Sequence, residues 1–393
     1  MRKFLRYLKL FGLTVSLLIL ILCFPYLLSP IYNFSSNHIF TGDKFYNPYS
    51  GINSQYIKSN FHAHTKAFFG LTAGNDEPDS LWNAYKKLNY DLLSISNYHS
   101  LTPRLISQNI YIPNYEHGIN LFKNHFLMIG ARSMDYFNFF FYQTIHQKQF
   151  QINRLKDKCK FLVITHPKLR SAYSSHELAN LNGYDALEIY SRFSEAEDLW
   201  DSVLSSGRCV WGFNDDDSHD MSKYLEVGSY WNNIYSSSEK EDDIIKALKS
   251  GRFISVKGKL GGVENIVKSL EVKDFLINIE LEKNAKQIKF IGQNGIPKKI
   301  IINASTASYV IQKNDTYIRI VVENDSSLFY FNPIFRYKNK PFDNKPAIIN
   351  YQFSIVYWLC FGLIYLALVF LIIRSLSRVI RLIFMNRKNI SRL

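Results

Sequence analysis

Short apolar runs that each stop on a histidine or a carboxylate constrain this chain more than any other feature. Residues 55–60 run into Phe61-His62-Ala63-His64-Thr65, and residues 90–96 into Asn97-Tyr98-His99. Residues 161–164 run into Thr165-His166-Pro167, and residues 209–213 into Asn214-Asp215-Asp216-Asp217-Ser218-His219. Residues 126–129 and 186–190 read as two further strands. Helical patterns lie between them. One is capped at Asp79/Ser80 and carries Leu81, Ala84, Tyr85 and Leu88; another covers about 194–205. This alternation predicts a mostly parallel sheet or barrel. In an α/β barrel the C-terminal strand ends assemble the site, and that is where the polar groups collect. Residues two apart on extended backbone share a face. His62 and His64 therefore point one way and Phe61 and Ala63 the other, and Asp217-x-His219 repeats the arrangement. Two imidazoles on one side of a strand end can hold one metal ion or bridge two. Seven of the ten histidines (62, 64, 99, 117, 125, 166 and 219) fall in such stretches, which a scattered surface population would not do.

The net charge of +14 on 393 residues resembles a nucleic-acid signal until it is located. Residues 1–29 hold four basic side chains and no acid, and residues 351–393 hold six and no acid, which leaves +4 for everything between. Each basic cluster flanks an uncharged apolar run, 10–28 and 353–373. Spanning a hydrocarbon core takes about 20 apolar residues, and clustered Lys/Arg stays on the cytoplasmic side. The expectation is a two-pass membrane protein with both termini cytoplasmic and residues 30–350 extracytoplasmic (periplasmic or extracellular). A cleaved signal peptide is the alternative for the first run; its length and the lack of a small-x-small site before Tyr32 argue against it.

Residues 29–55, rich in Asn, Ser, Pro and Tyr, read as a linker after the first membrane helix and the basic stretch 1–9. From about Val256 to 345 the texture turns to short β-rich runs separated by Gly, Asn and Asp. They predict a small all-β, sandwich-like accessory module before the second membrane helix and the basic tail 374–393. Cys23 and Cys360 lie in the apolar runs; Cys159 and Cys209 are equally compatible with a disulfide and with two separate thiols.

With these residues assembled, the chain resembles the PHP (polymerase and histidinol phosphatase) family of metal-dependent phosphoesterases over about 56–255. The resemblance rests on His62-Ala63-His64-Thr65, the strand end at His99, Tyr115-Glu116, Asn124-His125, Thr165-His166-Pro167, Glu188 and Asp217-Ser218-His219. Residues 242–251 with Arg252-Phe253-Ile254-Ser255 are similar to the segment that closes such domains. The resemblance implies a distorted (β/α)7 barrel and a cluster of two or three divalent ions, zinc, manganese or iron. It implies metal ligands at His62, His64, His99, Glu116, His125, His166, Asp217 and His219. Two positions depart from the family pattern: Tyr98 stands where an Asp is common, and no third histidine follows the first pair before Tyr98. The missing histidine favours two ions over three, and both departures are the features that favour a non-catalytic module.

The chemistry of the residues agrees. A His/Asp/Glu set without thiolates suits zinc, manganese or iron. A bridging carboxylate such as Glu116 would hold two ions that supply a hydroxide nucleophile, and cations nearby would grip phosphoryl oxygens. Arg132, Lys168, Arg170 and Arg192 are placed for that, Arg192 first. The catalytic set expected is thus Glu116, Asp217 and Arg192. Bland readings stand beside it: His166-Pro167 as a turn, Glu188 as ligand or support, the Asp215–Asp217 run as a solvated loop, His117 as a supporting or surface residue. The function expected is hydrolysis of a small or lipid-linked phosphoester near the membrane, with no protein partner. The alternatives are a non-catalytic metal- or ligand-binding sensor and a nuclease, the latter disfavoured by the near-balanced central charge.

Overall fold

The computed structural model describes residues 2–390 apart from 36–37, 53–54, 69–73, 224–225, 260–266 and 343–345. The last residues of the basic tail, 391–393, fall outside the described residues. In chain order the elements are α1 (Arg2–Cys23), β1 (Ile57–Asn60), α2 (Pro78–Lys87), β2 (Leu92–Leu93), β3 (Glu116–His117), β4 (Phe126–Ile129), α3 (Ile145–Leu155), β5 (Phe161–Ile164), α4 (Ser175–Asn180), β6 (Ala186–Ser191), α5 (Glu197–Ser205) and β7 (Trp211–Asn214). There follow β8 (Tyr230–Ile234), α6 (Glu241–Lys249), β9 (Phe253–Gly258), β10 (Val267–Lys273), β11 (Leu276–Ile291), β12 (Pro297–Val310), β13 (Tyr317–Glu323), β14 (Ser327–Phe331), β15 (Ile334–Tyr337) and α7 (Tyr351–Ile390). The fold is mixed α/β with several sheets.

The chain divides into two compact units. The larger holds residues 34–136 and 151–346. One of its sheets runs β7-β6-β5-β4-β3. Strands β7, β6 and β5 are parallel, while β4 is antiparallel to both β5 and β3. The strictly parallel repeat expected from strand–helix alternation is broken there, because no described helix joins β3 to β4 and a short connection can only reverse the chain. The second sheet contains parallel β1 and β2. Two isolated parallel bridges, Ala63–Ser218 and Tyr98–Glu116, join residues just past β1 and β2 to those around β7 and β3. Helix α2 starts one residue before the Asp79/Ser80 cap read from sequence: Pro78 opens it, its fixed φ suiting the first turn, where an N–H is unpartnered anyway. Residues Ser194–Glu195 are a short strand paired to the end of β6, so the next helix begins only at Glu197.

Alternation along β1 has its expected consequence. Phe61 is fully buried and packs on Phe213 at 5.7 Å between ring centres, and Phe161 and Phe253 meet the same ring at 6.0 and 5.5 Å. Truncating one such ring to Ala costs about 3–5 kcal/mol.

The β-rich residues do not stand apart as a sandwich. Strand β9 pairs with β8 on one side and β14 on the other, and β8 pairs with β1. The ladder therefore passes without a break from β1 through β8, β9, β14, β13 and β11 to β10. Arg319 on β13, 1% exposed, clamps this sheet to α5: its Nε and NH2 donate to the two oxygens of Asp201 at 2.7 Å each, and NH2 also reaches Glu197 at 2.7 Å. Cys159 and Cys209 are separate buried thiols, not a disulfide.

The second unit holds residues 1–33, 137–150 and 347–393. Two stretches, Tyr7–Leu28 and Tyr351–Arg381, are long and apolar enough to cross a membrane. They are antiparallel: Tyr365 donates to the Leu20 carbonyl, Tyr357 to that of Tyr26 and Trp358 to that of Ser29. Beyond the paired ends, Tyr32–Asn33 and Ile348–Ile349 form a two-stranded ladder.

Candidate metal centre

The end of β1 and the end of β7 are stitched together by backbone: His64 N donates to Ser218 O at 2.8 Å, and Ser218 N to His62 O at 3.4 Å. That pairing brings His-x-His and Asp-x-His side by side. A bulge between Phe213 and Asn214 shifts the register of β7 against β6 just before the acidic run. Asp216 then acts as a staple, not a solvated acid. It accepts from the amides of Gly228, Ser229 and Tyr230, from Asn60 Nδ2 and from the Tyr85 hydroxyl. Burial pushes its carboxyl up to about 6, against those hydrogen bonds. Asn60 also caps the His62 amide, and Ser96 and Asn97 hold the amides of Ala63 and Thr65. Asp217, His99 and His166 all sit at positive φ (53°, 45° and 28°). Such strain in non-glycine residues persists where the surroundings enforce it, commonly at functional sites.

Seven of the eight ligands expected from sequence converge. Glu116 Oε1 lies 2.8 Å from His125 Nδ1 and 3.1 Å from His166 Nε2. Its Oε2 lies 3.2 Å from His64 Nε2 and 3.5 Å from His62 Nε2. Asp217 Oδ1 lies 3.1 Å from His62 Nε2 and 3.3 Å from His64 Nε2. His219 stands at the rim, its ring centre 4.5 Å from that of His64 and its Nδ1 bonded to the Asp217 carbonyl at 2.8 Å. Within this set, His62 with Glu116 and His166, and His62 with His64 and Asp217, each offer donor atoms spaced for one ion.

The eighth, His99, is turned away. Its Nδ1 meets the Asp135 carbonyl at 2.8 Å, and its Nε2 accepts from Gly118 N at 3.2 Å. With both nitrogens engaged by backbone it has no lone pair to give, and burial lowers its pKa accordingly. The preceding residue occupies the site in its place. Tyr98 stacks on His64 at 4.9 Å and meets His125 edge-on at 5.4 Å. Burial, then Glu116 and Asp217, hold its hydroxyl well above the usual range. Lys123 Nζ lies 5.9 Å from the Tyr98 ring centre.

Glu188 is a support. Its Oε1 lies 2.9 Å from His62 Nδ1, and its Oε2 accepts from His166 N at 2.6 Å. A carboxylate at Nδ1 fixes the proton there and leaves the Nε2 lone pair facing inward. Nε2 then points at two carboxylate oxygens, acceptor against acceptor. His62 Nε2, His64 Nε2, Glu116 Oε2 and Asp217 Oδ1 are all buried and, among the described residues, none makes a hydrogen bond. Burying such groups unpaired costs about 1–3 kcal/mol each or more, and one shared cation satisfies all four. The donor set therefore fits a divalent ion, nitrogen and oxygen without sulfur. In its absence burial disfavours charge, yet Asp217, Glu116 and Glu188 raise the His62 pKa well above its usual value. Glu116 is correspondingly lowered, against its own burial, by His125 and His62.

The cations are less central than expected. Arg192 is ion-paired to Glu226, which also accepts from the amides of His219 and Asp220. Arg192 thus reaches the centre through its backing and does not point a free guanidinium into it. Lys168 pairs with Asp198, Arg170 donates to the Leu121 carbonyl, and Arg132 is exposed. Sequence reasoning missed Tyr98, Lys123 and the Asp216 staple. Only the position of Tyr98 beside His99 signalled the first, and nothing signalled the others.

No protein-family model matches the chain, and no curated protein matches it. It is similar to a solved structure from Bacteroides vulgatus, a two-domain protein containing a predicted PHP-like metal-dependent phosphoesterase. The two are 11% identical, the likeness covers 78% of this chain and 93% of that one, and the TM-score is 0.41.

Proposed function

We propose that this protein is a membrane-anchored, metal-dependent hydrolase of phosphate esters. The observation that carries the reading is the convergence of four buried, unpartnered donor atoms from His62, His64, Glu116 and Asp217. His125, His166 and His219 complete a set sufficient for two ions, with Glu116 reaching both halves. When bound, divalent cations here supply Lewis-acid stabilisation of a phosphoryl group and a water of lowered pKa. The chain's own residues keep the donors aimed. Glu188 holds the His62 tautomer, Asp216 anchors the loop that carries Asp217, and Tyr98 closes one side. Lys123 is the cation we assign to the phosphoryl oxygens at the open face, with Arg192 as a backing residue.

The fold reading belongs with this. With the two isolated bridges counted as contacts, β1 to β7 form a closed ring of seven strands, which supports a distorted (β/α)7 barrel over about 56–255 with 256–345 as an accessory region. The antiparallel terminal helices and their basic outer flanks support cytoplasmic termini and an extracytoplasmic centre. A lipid-linked or envelope phosphoester suits that location.

The test is hydrolysis of an aryl phosphate monoester by the full-length protein in detergent with manganese. Wild type should turn over, and His62→Ala and Asp217→Asn should lose at least about 100-fold. Metal bound without turnover would favour a sensor. Faster cleavage of diesters than of monoesters would favour a nuclease.

A further inference from the structure

Residues 137–150 interrupt the larger unit in sequence, yet they pack with the two terminal helices and belong to that compact unit. Their first stretch, Phe137-Asn138-Phe139-Phe140-Phe141-Tyr142, is aromatic at every position but one, and no Asp, Glu, Lys or Arg occurs from Tyr136 to Gln147. Phe139, fully buried, fixes its level. The Phe139 ring meets that of Tyr26 edge-on at 5.0 Å between centres, and Phe137 and Phe150 close on it at 5.2 and 6.0 Å. Tyr26 stands near the end of the apolar stretch Tyr7–Leu28, and its carbonyl accepts from Tyr357, near the start of Tyr351–Arg381. Phe139 therefore lies level with the paired ends of both stretches. A second tie is the Tyr32 amide, which donates to His146 Nδ1 at 3.2 Å in the first turn of α3.

Beyond Phe139 the loop is apolar and open. Phe140 and Phe141 are half-buried and pack on each other at 5.3 Å, and Tyr142 is 59% exposed. In water such a surface invites association. Level with the ends of membrane spans it suits the lipid interface, where aromatic rings seat their apolar bodies against acyl chains. Tyr26, Tyr357 and Trp358 mark the same level. On its N-terminal side the loop is fixed within the larger unit. Asp135 pairs with Arg154, its carbonyl meets His99 Nδ1 at 2.8 Å, and the Tyr136 ring stacks on His99 at 5.9 Å.

We propose that residues 137–142 are a third membrane contact, an aromatic loop seated in the headgroup–acyl boundary of the leaflet at the Leu28 and Tyr351 ends. The occupant is lipid and not a protein, because the surface continues that of the apolar stretches and carries no charge. This rests on the membrane-anchored part of the proposed function and not on hydrolysis. The test is spin-label depth in the full-length protein, reconstituted into phosphatidylcholine–phosphatidylglycerol bilayers. Cys23 and Cys360 are replaced by Ala, and the buried Cys159 and Cys209 stay. One label site is then added: Tyr142→Cys in the loop, Leu363→Cys within the second stretch, or Lys313→Cys on the larger unit, all exposed positions. Collision with oxygen and with a water-soluble nickel chelate reports depth. The label at 142 should favour oxygen, at about 5–10 Å inside the headgroup level; that at 363 should favour oxygen more, and that at 313 the chelate. If Tyr142→Cys does not melt with its parent, Phe140→Cys takes its place. Chelate access at 142 equal to that at 313, with 363 still in lipid, overturns the inference and leaves the anchoring intact. Chelate access at 363 as well overturns both. An immobilised label at 142, shielded from both probes, marks a protein cover and overturns the choice of lipid.

Discussion

Replacing Glu188 by Gln tests how the centre is prepared, since shape and volume are kept and only one acceptor is lost. Glu188 serves two donors, His62 Nδ1 at 2.9 Å and His166 N at 2.6 Å. An amide offers one oxygen and one NH2, so it can serve only one of them. If the oxygen stays with His166, the NH2 faces His62 Nδ1, the imidazole proton moves to Nε2, and the inward lone pair is gone. If the oxygen stays with His62, two N–H groups oppose each other at His166, a buried unsatisfied donor worth about 1–3 kcal/mol. Either way metal affinity should fall by about 10- to 100-fold, or roughly 1.4–2.8 kcal/mol. The assay is zinc or manganese occupancy of the full-length protein against buffered free metal, with thermal unfolding in chelator as a folding control. An occupancy curve that overlays wild type would refute the claim that Glu188 sets the His62 tautomer.

Three further outcomes follow from the packing. Lys58 lies over the Tyr90 and Trp231 rings at 4.8 and 4.5 Å, and burial lowers its pKa to about 8. Its folded value lies below its unfolded one, so stability rises with pH between about 8 and 10.5. Lys58→Met should therefore stabilise at pH 7 by about 1–2 kcal/mol after allowance for partial exposure, and the gain should shrink towards pH 10; denaturant melts at two pH values decide it. Asp201→Ala leaves the buried Arg319 guanidinium with Glu197 as its remaining carboxylate partner and should cost about 3 kcal/mol in chemical denaturation, much of it recovered by adding Arg319→Met. Cys159 and Cys209 are buried thiols whose pKa burial raises; they should resist a thiol reagent until the protein unfolds, and a Cys159–Cys209 disulfide in purified protein would contradict the packing.

Most of the centre was legible because strand parity is a strong rule. His62 and His64 share a face for the same reason that Phe61 is buried on the other side, whereas Asp217, at φ 53°, is brought to them by the backbone pairing of Ser218 with His62 and His64. The rule misassigned a side chain at the turn after β2. His99 adopts a left-handed φ, and that single residue hands the inward direction to Tyr98. No pattern of apolar residues reports a local φ. The parallel repeat was legible between β5 and β6 and not at β3–β4–β5, where the chain reverses twice, the second time although α3 lies between β4 and β5. The β-rich texture after Val256 was legible as strands, but their partners were not, because pairing of β9 with both β8 and β14 is a long-range choice. Glu188 was ambiguous from sequence because ligand and support demand the same residue type at the same strand end.

Everything turns on whether the buried donors around Glu116 share cations. Elemental analysis of the full-length protein, purified without chelator and again after manganese or zinc loading, measures this directly. The account predicts about two ions per chain, reduced by His62→Ala and Asp217→Asn. A ratio near zero after loading, in protein that unfolds cooperatively, would contradict it.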